Sequence, residues 1–150
     1  MLRFFFFLYN MFCNLIVIKL LAMIHYDFDK RRQVLNCTMV GTITVDEVVV
    51  FIESIIKADF LLADLNMIID MLDCEVLFQL NQLQKIADVN NRLLDRYLSV
   101  KHAIVLDKPL DTAMAYYYKQ LSMQGNYTLE LFTTIEAANK WMGVSELSSG

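Results

Sequence analysis

Apolar and polar residues alternate with a period of two in the segments that open the domain. Residues 24–28 and 34–40 each show this pattern, which predicts two strands because successive side chains of a strand point to opposite faces. The polar residues 29–33 between them predict a hairpin turn whose basic side chains are solvated. Gly41 is expected to end the second strand.

Apolar residues recur every three or four positions in four later segments, and each predicts a helix. The first begins at a capping box of Thr44 and Glu47, in which each side chain accepts a backbone N–H of the other residue, and it runs to about Lys57. The second begins near Asn81 with another capping pattern and carries a stripe that we expect to be buried. This stripe consists of Leu83, Ile86, Ala87, Leu94 and Tyr97.

The last two helices are recognised by their ends. Pro109 suits the first turn of the third helix, since its missing N–H would be unpaired there in any case, and the helix continues to about Met123 before Gly125. A third capping box, over residues 133–136, opens the fourth helix, which ends near Trp141.

Three further strands separate these helices, over residues 65–70, 103–107 and 127–132, with His102 as an alternative start of the middle one. The element order ββαβαβαβα predicts an α/β domain over residues 23–144. Strands joined by single helices pair in parallel through right-handed crossovers, so we expect a five-stranded, mixed but mostly parallel sheet.

Polar residues interrupt these strands at every second position, whereas parallel strands covered on both faces are continuously apolar. The pattern therefore predicts helices mainly on one face of the sheet and a more open second face. Thr128 and Glu130 test this expectation, because both should be exposed to solvent rather than buried beneath a helix.

Residues 4–24 form a separate apolar segment that is long enough to cross a ~30 Å hydrocarbon core. If it is a membrane anchor, the basic cluster that follows keeps the domain at the cytoplasmic face of the inner membrane. Two alternatives stay open: translation starts at Met23, so that residues 1–22 are not made, or the segment is a packing helix. Residues 145–150 are expected to form a flexible tail.

Composition narrows the range of functions. The chain has 57% hydrophobic residues and a formal net charge of −4, which favours a globular, acidic domain and disfavours nucleic acid as a partner. Its three cysteines have no metal-ligand spacing and cannot build a disulfide framework. We expect them to be small buried hydrophobes in a reducing, cytoplasmic compartment.

Catalytic signatures are missing from the sequence. No nucleophile elbow, P-loop or dinucleotide fingerprint occurs, and neither His25 nor His102 has a cysteine or carboxylate at metal-ligand spacing. We therefore expect structural roles for both histidines, no metal site and no cofactor.

The best remaining candidates lie where predicted parallel strands end. Asp70 and Asp107 occupy such ends, followed closely by Asp73 and Lys108, and ligands of open α/β sheets gather at this edge. Paired carboxylates there would suit a cation or acid–base chemistry, although loop geometry and helix capping are the more common reasons for Asp at such positions. Together with Tyr117, they form the candidate edge for a partner or ligand.

Tyr116, Tyr117 and Tyr118 are consecutive, so in a helix their side chains point in three directions that cover most of a turn. We expect two of them in the core and one in contact with a partner. The nine methionines add adaptable apolar surface, which suits core filling or an apolar ligand.

Several short motifs follow one another in order and spacing along the domain. They are Met23-Ile24-His25-Tyr26-Asp27, Gly41-x-Ile43-Thr44, Leu65-Asn66-Met67-Ile68-Ile69-Asp70, Leu83-x-x-Ile86-Ala87-Asp88 and Phe132-Thr133-Thr134-x-Glu136-Ala137-Ala138-x-x-Trp141. Together they resemble the SpoIIAA-like family of small bacterial proteins, which are relatives of STAS domains, over about residues 23–142.

The resemblance implies a STAS-like fold and a role in protein interaction. Anti-anti-sigma members of the group are switched by a phosphorylated serine at the start of the second helix, but residues 70–79 of this chain contain no Ser or Thr, so that switch is not carried over. The family is also similar to CRAL-TRIO lipid-binding domains, which is an analogy of fold only.

Two functions follow as hypotheses. The first is a non-enzymatic regulatory module that binds a protein partner or a second copy of itself through the strand-end loops. The second is a carrier or sensor of an apolar, lipid-like ligand held between helices and sheet, for which a cavity lined by Met and Tyr would be the distinguishing feature. An enzyme built on Asp70 and Asp107 ranks below both.

Overall fold

Strands and helices alternate in the computed structural model, which describes residues 23–58, 62–122 and 125–143. The strands are β1 (Met23–Asp29), β2 (Val34–Ile43), β3 (Asp64–Asp70), β4 (Cys74–Val76), β5 (Ser99–Val105) and β6 (Tyr127–Phe132). The helices are α1 (Val45–Lys57), α2 (Leu83–Leu94), α3 (Pro109–Leu121) and α4 (Ile135–Met142), with a short 3₁₀ turn at Leu80–Gln82 before α2.

The sheet is mixed and mostly parallel, as the sequence predicted. Its strands lie in the order β1-β2-β3-β5-β6, and β1 is antiparallel to β2 while the other neighbours are parallel. The short β4 is a sixth strand that the sequence did not predict, and it pairs only with the end of β2. The five predicted strands therefore form the continuous sheet.

Gly41 does not end β2, contrary to the sequence prediction. Its positive φ of 82° is a left-handed conformation that glycine adopts without strain, and its N–H donates to the carbonyl of Asp73 at 3.1 Å. The backbone therefore changes direction at Gly41 and continues, so that Ile43 pairs with Val76 of β4.

Other boundaries differ by a few residues. β5 covers Ser99–Val105 rather than 103–107, because Val100 already faces the core and the chain leaves the strand at Leu106. The cap of α4 is Thr134 rather than Thr133, and its side chain accepts the N–H of Ala137 at 3.2 Å. The capping box of α1 is present as predicted.

Helices cover the two faces of the sheet unequally. The main core lies between the sheet and α1, α2 and α3, whereas a smaller cluster lies beneath α4 on the opposite face, around Ile68, Ala103 and Ala138. Thr128 is exposed, and the side chain of Glu130 is 46% exposed in an ion pair with Lys119. This confirms the prediction of one covered face and one more open face.

The buried cysteines behave as small hydrophobes, as expected. Burial raises the pKa of the Cys37 thiol to about 12 and that of Cys74 to about 11, so both remain protonated near neutral pH. Cys13, the apolar segment before Met23 and the predicted tail lie outside the described residues. Within the part of the chain that the structure describes, no helix is long and apolar enough to cross a membrane.

Candidate functional site

The carboxyl end of β3 does lie beside that of β5, where Asp70 is opposite Val105. The side chain of Asp70 is occupied in the local turn, since its Oδ1 accepts the N–H of Leu72 at 3.0 Å. This is the loop role that a short acceptor side chain commonly fills.

Asp73 and Asp107 follow these strands and are exposed. Across residues 23–58, 62–122 and 125–143, no three His, Cys, Asp or Glu side chains are grouped so that they could hold a metal ion. The structure therefore places the predicted acids at one edge of the sheet without assembling them into a cation site.

Lys108 connects two elements at the same edge. Its ammonium group donates to the carbonyl of Cys74 in β4, while its backbone caps the start of α3. This contact gives Lys108 a structural role, because it ties the loop before α3 to the sixth strand.

Two of the three consecutive tyrosines are exposed, so the prediction of two buried and one exposed is wrong. Tyr118 is buried, whereas Tyr116 and Tyr117 are 59% and 47% exposed. The reason is the orientation of α3, in which only about one residue per turn faces the core. Met114 and Tyr118 occupy these positions.

An exposed apolar stripe runs along the outer side of α3. Leu110, Ala113 and Tyr117 recur at spacings of three and four residues, so they lie on one side of the helix, and all three are exposed. Leu110 is 71% exposed, and it shares this side of the helix with a second large exposed side chain, Tyr117. We refer to these three residues as the α3 stripe.

A cavity of about 90 Å³ lies between the sheet and the three helices that cover it. Most of its lining is aliphatic or aromatic, and four methionines and a tyrosine contribute. These five are Met39, Met67, Met71, Met114 and Tyr118.

The polar residues in this apolar lining are Asn90, His102 and the partly buried Asp111. Asn90 of α2 is 2% exposed and His102 of β5 is 4% exposed. Nδ1 of His102 lies 2.7 Å from the hydroxyl oxygen of Tyr127, whereas Nε2 of His102 has no hydrogen-bond partner among the described residues. Such an atom costs free energy when it is buried unpaired.

The protonation state of this cluster follows from its burial. Burial lowers the pKa of His102 to about 3, so its ring is neutral near pH 7. Burial also raises the pKa of Tyr118 and of Tyr127, which keeps both hydroxyls protonated. The side chains of His102, Tyr118 and Tyr127 are therefore uncharged near neutral pH.

His102 fills a buried position in a strand, and neither it nor Asn90 was among the predicted site residues. The sequence pattern contained a signal for both Asn90 and His102. Position 90 continues the buried stripe of α2 between Ala87 and Leu94, and position 102 alternates with Val100 and Ile104 in β5. A polar residue at a position that the pattern assigns to the core is the feature that would have identified them.

Comparison with known proteins identifies the fold class of this chain. No protein-family model matches the sequence, and a search of curated proteins found no match. Among solved structures, an anti-sigma factor antagonist from Mycobacterium paratuberculosis is similar with a TM-score of 0.55 and 13% identity, over 81% of this chain and 94% of that one.

A second similar structure is an uncharacterised protein with a SpoIIAA-like fold from Shewanella loihica. Its TM-score is also 0.55, at 14% identity, over 81% of this chain and 93% of that one. At such low identity the likeness establishes the fold. The chain has the SpoIIAA-like fold that its sequence motifs implied.

Proposed function

We propose that the chain is a non-enzymatic regulatory module that acts by binding a protein partner. The anti-sigma factor antagonist that shares its fold supports a regulatory role. The observation that carries the proposal is the α3 stripe, because it offers exposed leucine and tyrosine side chains beside the strand-end loops. Aromatic side chains are enriched at protein interfaces, and contiguous exposed apolar surface often marks an interaction site.

The neighbouring loop residues fit the rim of such an interface. Asp107 and Lys108 directly precede α3 and are exposed, and they would supply the polar surroundings that interface cores normally have. Regulation by a phosphoserine in residues 70–79 is not part of this proposal, since that stretch has no Ser or Thr.

Affinity capture with matched variants tests the proposal. A double variant, Leu110→Ser with Tyr117→Ser, is expected to retain about tenfold less of a specific partner than the wild-type chain, since interface anchors commonly contribute ~1–2 kcal/mol or more. The control is Leu98→Ser, because Leu98 is 78% exposed but lies beside the opposite, amino-terminal end of β5. Equal retention by all three proteins would refute the role of the α3 stripe.

A second function is favoured by the cavity. Its lining by methionines and a tyrosine is the feature expected of a carrier or sensor of an apolar ligand. Met71 and Ala115 are only partly buried, so they mark the side on which a ligand would enter.

Methionine-methyl NMR tests this second function. Titration with 2-methylbut-1-ene, a small hydrocarbon, is expected to shift the methyl signals of Met39, Met67, Met71 and Met114 in a saturable way, because these four line the cavity. Met23 is the internal control, since it is 61% exposed on β1 and does not line the cavity. Shifts of equal size at Met23 would indicate unspecific association with the surface.

A further inference from the structure

We propose that two copies of the chain associate through β1, so that their β1 strands pair antiparallel about a two-fold axis at Tyr26. β1 lies at the edge of the sheet, and on its outer side it has no neighbouring strand among the residues that the structure describes. An edge strand directs a row of backbone N–H and C=O groups outward, where another strand can pair with them. Partner binding through the α3 stripe is independent of this association, because α3 packs against β6 at the other end of the sheet.

The sequence of β1 leaves this edge open to pairing. Edge strands are commonly protected by lysine or proline, and the seven residues of β1 include neither. A bulge would also discourage a second strand, but every residue from Met23 to Asp29 has its own partner in β2, so β1 is regular over its whole length.

The register at Tyr26 makes β1 complementary to itself. All seven residues then have an opposite residue, and His25 lies opposite Asp27 of the second copy, twice in each dimer. Both side chains are exposed in a single copy, and an imidazole N–H is a good donor to a carboxylate. An axis at Asp27 would instead place two carboxylates opposite each other, which is destabilising. An axis at His25 would leave Phe28 and Asp29 without an opposite residue in β1.

On the other face of β1, toward the helices, the same register makes apolar pairs. Ile24 lies opposite Phe28 of the second copy, and the two Tyr26 side chains meet at the axis. All three residues pack against the main core of their own copy but are only partly buried. Cross-strand pairs of aromatic and β-branched side chains stabilise a sheet, so the association would extend the core across the axis.

A groove with a volume of about 390 Å³ lies on this face, between β1 and α1. Its lining includes Ile24 and Tyr26 of β1 and Val50 and Phe51 of α1, and Val50 is 64% exposed. The proposed register brings Phe28 of the second copy to this groove, because that residue lies opposite Ile24. The second copy would therefore cover apolar surface that a single copy leaves in water.

Sedimentation velocity of the full chain tests the association. One pair of strands is a small interface, so we expect monomers at ~1 µM and mostly dimers at ~500 µM. His25→Glu places an acid opposite Asp27 twice in each dimer and should raise the dissociation constant about tenfold. The double variant His25→Glu with Asp27→Lys restores opposite charges and should recover the wild-type constant. Thr128→Glu is the matched control, since it adds the same charge at an exposed position of β6 and should change nothing.

Disulfide trapping tests the register. When the full-length single variants His25→Cys and Asp27→Cys are mixed and oxidised, the mixed disulfide should predominate over either homodimer in the mass spectrum. Opposite residues of paired strands have Cα atoms ~5 Å apart, which a disulfide spans, whereas two copies of the same position are offset along the strands. The wild-type chain, oxidised in the same way, gives the background from the native cysteines.

Three results would overturn the proposal. They are a wild-type chain that stays monomeric over the whole concentration range, an unchanged dissociation constant in His25→Glu, and equal yields of the three disulfides. None of them affects the retention of a partner by the α3 stripe, so failure of this association and failure of the proposed function are distinguishable. His25→Glu is expected to fold, because His25 is exposed in a single copy.

Discussion

Acidification is expected to destabilise the fold by about 1.4 kcal/mol per pH unit through His102 alone. The pKa of this side chain falls from its ordinary value of 6.5 to about 3 because the ring is buried. Below pH 6.5 the unfolded chain binds a proton at this position, whereas the folded chain does not until about pH 3. The free energy of unfolding is therefore not reduced through His102 above pH 6.5, and it falls progressively as the pH decreases toward 3.

Urea unfolding at about pH 7 and about pH 5 measures this effect. The fall in unfolding free energy between the two pH values should be smaller in His102→Phe than in the wild type, by about 2 kcal/mol. His25→Gln is the matched control, since His25 is exposed on β1 and its replacement should leave the wild-type dependence unchanged. An identical pH dependence in wild type and His102→Phe would show that His102 is hydrated or already charged in the folded state.

The burial of His102 also has a cost in folding free energy. A neutral imidazole in an apolar core needs a partner for each ring nitrogen, and only Nδ1 has one among the described residues, the hydroxyl of Tyr127. A hydrophobic residue would fill the position with no such requirement.

Much of the fold could be predicted from local pattern because each long element has its own periodicity. The capping box of Thr44 and Glu47 defined the start of α1, and its apolar spacing defined the end at Lys57. The sixth strand could not be predicted in this way. Cys74–Val76 is only three residues long, too short to show a period, and it depends on the bend at Gly41, which places the end of β2 beside it.

The candidate site was harder to predict because proximity at a sheet edge does not specify a chemical role. The sequence predicted Asp70 and Asp107 at the ends of two parallel strands without establishing that these strands are neighbours. They are neighbours, with Asp107 two residues beyond the end of β5, yet the turn at Leu72 uses the carboxylate of Asp70. The cavity depends on side chains of α1, α2, α3 and the sheet that meet only after folding. No local sequence pattern indicates the volume left between these side chains. The sequence therefore suggested a cavity lined by methionines without indicating where in the fold it lies.

Leu93→Ala is expected to lower the free energy of unfolding by about 3 kcal/mol and to enlarge the cavity at the same time. Leu93 is fully buried and belongs to the cavity lining. Truncation of a buried leucine removes its transfer free energy and leaves additional empty volume, with a usual cost of ~2–5 kcal/mol. Leu65→Ala is the matched control, because Leu65 is also fully buried but does not line the cavity.

Benzene should distinguish the two variants. In Leu93→Ala the new volume joins an existing apolar space, so benzene at about ten times its Kd is expected to restore about 1.4 kcal/mol of the lost stability. Leu65 does not line that space, so we expect little or no recovery in Leu65→Ala. Thermal unfolding with and without benzene measures the difference. Equal recovery in both variants would mean that the space beneath the helices is not a preformed binding cavity, because any newly emptied leucine site would then serve a ligand equally well.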